Sequence, residues 1–238
     1  MPEPDVSPAG RALTRRHLLA WAGLSGAGFL LAAARARAAT GARACVARPR
    51  QTEGPFFVDE ELERSDIRLD ARTGKTTPGV PLRLRFRVSN LAGASCTPLP
   101  RARVDVWHCD AEGRYSDVRG GGAAAHFLRG YQRTDPEGAA EFVTIYPGWY
   151  AGRAVHVHFK IRVADSGARV RDFTSQLYFD ERLSERVFAS APYAGRGEHR
   201  LRNAQDGLYR DGGPQLTLAP MADGEGYAAT FDVALTAA

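Results

Sequence analysis

The segment Ala154–Val163, AVHVHFKIRV, alternates without a break. Val155, Val157, Phe159, Ile161 and Val163 take one set of positions, and His156, His158, Lys160 and Arg162 take the other. Residues two apart share one face of a β-strand. The stretch therefore predicts a strand with an apolar face and a polar face, and it aims both histidines the same way. LRLRFRV repeats the pattern, with Leu82, Leu84, Phe86 and Val88 set against Arg83, Arg85 and Arg87. ARVDVWHCD, AEFVTIYP, DFTSQLYF and GYAATFDVAL read as further strands, separated by the turn signals DPEG, DSG and RGGG. Only SERVF and HRLRNA read as helical, and both are short. Many strands with few helices predict an all-β fold, a β-sandwich with a few short helices. The sandwich is expected over residues 79–238. Residues 39–78 have few periodic apolar positions and read as an N-terminal extended arm. Gly120–Ala125 reads as a flexible loop.

The first 38 residues follow a different plan. Arg15 and Arg16 precede an apolar run from Leu18 to about Ala34, which ends in Ala36-Arg37-Ala38. That is the anatomy of a cleaved export signal, and the arginine pair after Thr14 gives it a twin-arginine character. The apolar run is too short and too rich in small residues to predict a stable membrane anchor. The expected location is periplasmic or extracellular. The segment holds five arginines and two acids, so the net charge falls from +5 for the whole chain to about +2 without it. No basic run with interleaved aromatics remains, which excludes a nucleic-acid surface. An exported protein can keep a disulfide. Of Cys45, Cys96 and Cys109, the pair Cys45–Cys96 is expected, since it pins the start of the arm to the domain.

A His-x-His pair on a polar strand face is by itself more often solvated than ligating. Four features shift the balance. The apolar alternation sets the histidine face. The turn PGWY can return Tyr150 beside the histidines. DVWHCDAEGRYSD leaves a strand, turns through Gly113 and carries Tyr115 on a loop. SQLYF places a polar Gln176 within an otherwise apolar strand. Free tyrosine has a pKa near 10 and is a poor ligand at neutral pH, but a trivalent cation can deprotonate it. Phenolate oxygen suits Fe(III) better than Zn(II). Two phenolates and one hydroxide also cancel the charge of Fe(III), which lowers the cost of burying it.

QTEGPFF, DVWHCDAEGRYSD, FLRGYQRTD, TIYPGWYAGRAVHVHFKI and SQLYFD occur in the order found in intradiol ring-cleavage dioxygenases. Over roughly residues 45–190 the chain resembles an exported branch of that family, with a core similar to the protocatechuate 3,4-dioxygenase type. The resemblance implies a β-sandwich carrying non-haem Fe(III). It implies Tyr115, Tyr150, His156 and His158 as metal ligands, with Tyr150 the one that leaves when substrate binds. It implies Arg153 and Gln176 beside the substrate, and an aromatic diol and O2 as reactants. The implied reaction cleaves a catechol-type ring between the hydroxyl-bearing carbons, giving a muconate-type product. Gly152 stands where protocatechuate-type relatives carry an aromatic residue, and the loop from Tyr150 to His156 is short. No long helical domain precedes the sandwich, unlike the dimeric catechol 1,2-dioxygenase architecture.

Other polar and aromatic residues have plainer readings. Trp107, Phe127, Trp149 and Phe159 are expected as core or pocket wall. His108 and His126 are expected as structural or surface groups, and Asp105, Asp110 and Asp117 as turn and strand-edge groups. Tyr131 fits either a place near the site or the core. The acids and arginines after Glu181 read as solvated surface. A second function class stays open here: a non-catalytic exported sandwich that binds an aromatic or carbohydrate ligand.

Overall fold

Alternation in the sequence becomes two facing sheets in the computed structural model, which describes residues 45–70, 72–118, 125–164, 170–198 and 201–236. The export signal expected at 1–38 and most of the loop expected at Gly120–Ala125 lie outside the described residues. The first sheet is built on β1 (Pro81–Ala92). This strand pairs antiparallel with β2 (Ser95–Pro98) and β5 (Ala139–Ile145), and parallel with β9 (Gly226–Thr236). β8 (Met221–Asp223) adds to β9. The second sheet runs β4 (Arg129–Arg133), β3 (Arg103–Trp107), β6 (His156–Ala164), β7 (Val170–Tyr178), all antiparallel. Three short helices follow: α1 (Glu181–Phe188), α2 (Gly207–Arg210) and α3 (Gly213–Leu216). Among the described residues no helix is long and apolar enough to cross a membrane.

The predicted apolar faces meet between the sheets. Leu82, Leu84, Phe86 and Val88 are buried while Arg83 and Arg85 are exposed. Phe86 packs on Phe159 of the other sheet at 5.3 Å, and Phe159 packs on Phe231 at 5.5 Å. This interdigitation is the usual thickness of a sandwich core. It turns the alternate residues of β6, including both histidines, to the outside of the second sheet.

SERVF lies within α1, whose first turn is capped by the Asp180 carboxylate accepting from Leu183 N. Of HRLRNA, His199 and Arg200 lie outside the described residues, and the rest leads into a 3-10 turn at Asn203–Gln205. β2, β4 and β8 were not legible as strands. Two are very short, and RGYQR of β4 lacks alternation. Asp105 departs from its expected strand-edge place. It lies mid-way along the interior strand β3, buried, and pairs with Arg103 at 3.0 Å and Arg162 at 2.9 Å. Two guanidinium groups compensate a charge that would otherwise be costly to bury.

The described residues of 45–80 form no long strand but follow the sheet edges. Ala47 bridges to Ala234 of β9, and Gln51 N donates to Thr174 O of β7. Glu63 bridges to Tyr131 of β4, and Asp66 to Val143 of β5. An open strand edge is a row of unpaired donors and acceptors, and this segment occupies part of each of those edges. Its start is fixed by a disulfide between Cys45 and Cys96 of β2, as the sequence led us to expect. The bridge spans 51 residues. Closing a loop of that size restricts the unfolded chain by about 4 kcal/mol. Replacing both cysteines with serine should lower the urea midpoint by a corresponding amount, whereas an unchanged midpoint would show that the bridge does not stabilise the fold.

Candidate functional site

One row of residues crosses the second sheet. Arg129 of β4 pairs with Trp107 of β3, Trp107 with His158 of β6, and His158 with Gln176 of β7. Directly opposed residues share a face, so the sheet register itself places His158 between Trp107 and Gln176. The indole stacks on the imidazole, 5.0 Å between centroids and 6° between planes. His156, two residues earlier, lies on the same face.

Two tyrosines arrive from loops. Asp110 shapes the first loop by accepting from the backbone N–H groups of Glu112 and Arg114, each at 2.9 Å. Tyr115 follows, buried, with its hydroxyl 3.4 Å from His156 Nε2. Tyr150 comes from PGWY and places its hydroxyl 3.2 Å from the same nitrogen. The two Nε2 atoms of His156 and His158 are 3.0 Å apart. All four residues read from the sequence as ligands thus bring a donor atom to one point. Arg153 Nη1 lies 3.4 Å from His156 Nε2, and Arg153 Nη2 donates to Gln176 Oε1 at 2.5 Å. Every predicted site residue is in this cluster.

The polar face is not wet here. His156, His158 and Gln176 are buried, because the segment Thr52–Phe57 roofs the face. Phe56 stacks on Tyr115 at 4.3 Å and meets Tyr150 edge-on at 6.1 Å. Phe57 packs on Trp107 at 4.9 Å and lies under the Lys160 ammonium. Gln176 Nε2 donates to Thr52 O at 3.0 Å. Gly54 has φ +69°, and a Cβ there would lie 3.4 Å from His158 Cε1. A side chain would be strained in that left-handed conformation, and glycine lets the roof come down onto the imidazole. Tyr150 and Arg153 are only half-buried, and Ala151 and Gly152 are exposed. The accessible side of the cluster is therefore the side of Tyr150 and Arg153. Gly152 has φ +86° with open space around it, so an aromatic residue there would meet backbone strain rather than crowding.

The electrostatics suit a cation. Burial pushes the His156 pKa down to about 3, reinforced by the Arg153 charge. His158 is lowered well below the ordinary histidine value by burial and then by His156. Both imidazoles are neutral and keep a lone pair. His156 Nδ1 donates to Ala154 O at 2.6 Å, so its lone pair is on Nε2. His158 Nδ1 is buried with no hydrogen-bond partner. Whichever nitrogen of His158 carries the proton, one buried polar atom is unsatisfied or two lone pairs face each other at 3.0 Å. A cation accepting both Nε2 lone pairs removes that conflict. Burial raises Tyr115 well above the usual phenol value and also raises Tyr150. Neither phenol ionises at neutral pH without a strong positive charge beside it. Two phenol oxygens and two neutral imidazoles form a donor set for a hard, highly charged ion.

Two residues missed in the sequence hold the cluster together. Arg129 is buried; its Nε donates to Ser116 Oγ at 3.0 Å and its Nη1 to Phe56 O at 3.4 Å. It ties the roof to the loop that carries Tyr115. Asp206 is also buried, contrary to the reading of acids after Glu181 as solvated surface. It pairs with Arg153 Nε at 2.9 Å. No alternating pattern marks either residue.

The plainer readings find their places. His108 bonds Cys109 O at 2.8 Å and Thr144 Oγ1 at 2.7 Å, and burial lowers its pKa to about 4. It is structural. Burial pushes the Cys109 thiol up to about 12, which makes it unreactive. Tyr131 donates toward Glu61 and Glu63, each at 3.3 Å, and is not in the cluster. His126 pairs with Glu60 at 3.0 Å, close to Asp117. Arg129 lies 3.8 Å from Glu60, so this group already has a compensating cation. Trp149 packs against the main core under the Arg196 guanidinium, and Phe127 lines a surface cavity of about 320 Å³ with Asp110 and Pro192.

A family model described as dioxygenase matches residues 52–208, a stretch that includes the roof and the strands β1 to β7 but ends before β8 and β9. The chain is 31% identical over 151 residues to catechol 1,2-dioxygenase 2 of Acinetobacter lwoffii, covering 56% of this chain and 51% of that one. It is 31% identical over 164 residues to the protocatechuate 3,4-dioxygenase beta chain of Burkholderia cepacia, covering 63% of this chain and 68% of that one. The chain spans about half the length of the catechol 1,2-dioxygenases it matches. Its fold is similar to the solved intradiol ring-cleavage dioxygenase from Tetranychus urticae, with a TM-score of 0.69 and 27% identity over 81% of this chain and 95% of that one. The order of motifs, the paired sheets and these similarities lead to one assignment: the chain belongs to the intradiol ring-cleavage dioxygenase family.

Proposed function

We propose that this protein is a non-haem Fe(III) dioxygenase that opens the ring of a catechol-type diol between its two hydroxyl-bearing carbons. The observation that carries the reading is the convergence on His156 Nε2 of two phenol oxygens, at 3.4 and 3.2 Å, and of the His158 Nε2 atom, at 3.0 Å. Tyr115, Tyr150, His156 and His158 would hold the ion. When bound, Fe(III) would draw electron density from a chelated diol and make the ring reactive toward O2. Tyr115 and Tyr150 would bind as phenolates, whose two negative charges offset most of a trivalent charge.

Each residue has a task set by its position. Tyr115 is fully enclosed by Phe56 and the sheet, so it is built to stay. Tyr150 is half-buried on the accessible side, so of the two phenols it is the one that would have room to move. On that side its phenol oxygen would be placed to take one proton from an incoming diol. Arg153 points Nη1 at the donor cluster and carries a positive charge toward oxygen atoms that become anionic during the reaction. Trp107, Phe56 and Phe57 keep bulk water off the buried side, where a fixed charge acts most strongly. The reaction consumes one diol and one O2 and yields one ring-opened diacid, so its atoms balance without a further reductant. The Cys45–Cys96 disulfide supports the reading of residues 1–38 as an export signal, since disulfides persist outside the cytoplasm.

Oxygen uptake by the iron-loaded protein on a panel of substituted catechols tests this function, with iron measured in the same sample. Uptake that scales with iron content and depends on an ortho-diol is expected. Full iron occupancy with no uptake on any diol would contradict it.

A further inference from the structure

Asp206 lies fifty-three residues beyond Arg153 in the chain, in the segment between a 3-10 turn and α2, yet its side chain is only 2% exposed. Its Oδ2 accepts from Arg153 Nε at 2.9 Å and from Ala154 N at 2.8 Å. Its Oδ1 accepts from Leu208 N at 2.8 Å, capping α2. One carboxylate therefore fastens three things: the Arg153 guanidinium, the backbone two residues before His156, and the start of α2. Burial alone would raise its pKa, but the Ala154 N–H and the Arg153 charge outweigh burial and leave it below the ordinary aspartate value.

The guanidinium is held along a second edge. Arg153 Nη2 donates to Gln176 Oε1 at 2.5 Å. That oxygen also accepts from Tyr178 OH at 3.2 Å, and the other end of the amide is anchored by Thr52 O at 3.0 Å. A planar fork held at Nε and at Nη2 has its orientation fixed. The remaining nitrogen, Nη1, is then directed at His156 Nε2, 3.4 Å away. Gln176 is a neutral acceptor at one edge of the plane. The carboxylate supplies the second point and a charge-assisted bond.

We propose that Asp206 is a positioning residue for the reaction: it holds Arg153 so that Nη1 faces the bound diol. The proposal rests on the diol-cleaving function above. Helix capping alone would affect folding and leave the reaction's dependence on Arg153 intact. Positioning acts through Arg153 and is lost when Arg153 can no longer respond.

The test compares the iron-loaded wild type with Asp206→Asn, Arg153→Lys and the double variant. Asp206→Asn should keep iron and visible colour, hold KM within about threefold, and lose roughly 10- to 100-fold in kcat, as expected for a misaimed group. The double variant should be no slower than Arg153→Lys alone, because both substitutions remove the same function. A kcat within about twofold of wild type, or losses that multiply in full, would overturn the proposal. Should Asp206→Asn not fold, Asp206→Glu moves the carboxylate outward while keeping its charge and is read by the same criteria.

Binding of 4-nitrocatechol without oxygen gives a second readout that needs no turnover. Asp206→Asn should shift the bound chromophore's spectrum as Arg153→Lys does, and a spectrum identical to wild type would overturn the proposal. A wild type that binds the probe but cleaves no diol contradicts the dioxygenase function and leaves the spectral comparison to decide on Asp206. A wild type that binds no probe overturns both.

Discussion

Tyr115→Phe should give a folded protein that holds little iron. The ring stays, so its stacking on Phe56 at 4.3 Å survives, and only the phenol oxygen is lost. That oxygen lies 3.4 Å from His156 Nε2 and comes from the more buried of the two tyrosines. Altering the outer partners of a metal ligand costs about 10- to 100-fold in affinity, and removing a ligand should cost at least as much. The expected result is a colourless protein with little iron, melting within a few degrees of the metal-free wild type. The visible spectrum and iron content of one sample check it together. A variant with full iron and unchanged colour would remove Tyr115 from the ligand set.

Arg153→Ala should produce the opposite separation, keeping iron and losing turnover. Arg153 lies beside the donor cluster but offers no lone pair to a cation. Its charge matters where oxygen becomes anionic. Removing one such preorganised donor costs about 10²- to 10³-fold in kcat. The substitution also leaves Asp206 without its ion pair, although Ala154 N and Leu208 N still donate to it. Some loss of stability is therefore expected, and turnover is best expressed per bound iron at a temperature where the variant is folded. Normal turnover per iron would exclude Arg153 from the reaction.

The two predictions rest on parts of the structure that differ in how far sequence alone reveals them. The sandwich was legible because Leu82–Val88 and Val155–Val163 alternate strictly, and a period of two leaves no choice of face. His156 and His158 were legible as a pair for the same reason. Their surroundings were not, since cross-strand register is a long-range property. Nothing local in ARVDVWHCD or SQLYF says that Trp107 and Gln176 flank His158 in one row. Taken by itself the polar face of β6 reads as solvated, because its cover comes from residues 52–57, coil without a period. The motif QTEGPFF signals that segment only through resemblance. Asp206 carries one local signal, an aspartate-glycine pair able to start a helix. That signal accounts for the bond to Leu208 N and says nothing of the second oxygen on Arg153. Buried charges such as Arg129 and Asp206 are found from their partners, and those partners lie far away in the chain.

The proposed function is ring opening by an iron that Tyr115, Tyr150, His156 and His158 would hold. The most direct measurement supplies isotopically labelled O2 and a catechol to the iron-loaded protein and weighs the product. The expected product is a ring-opened diacid carrying both labelled atoms, one in each new carboxylate, with one O2 consumed per diol. A product with a single labelled atom, or an intact ring from fully iron-loaded protein on every diol tested, would contradict it.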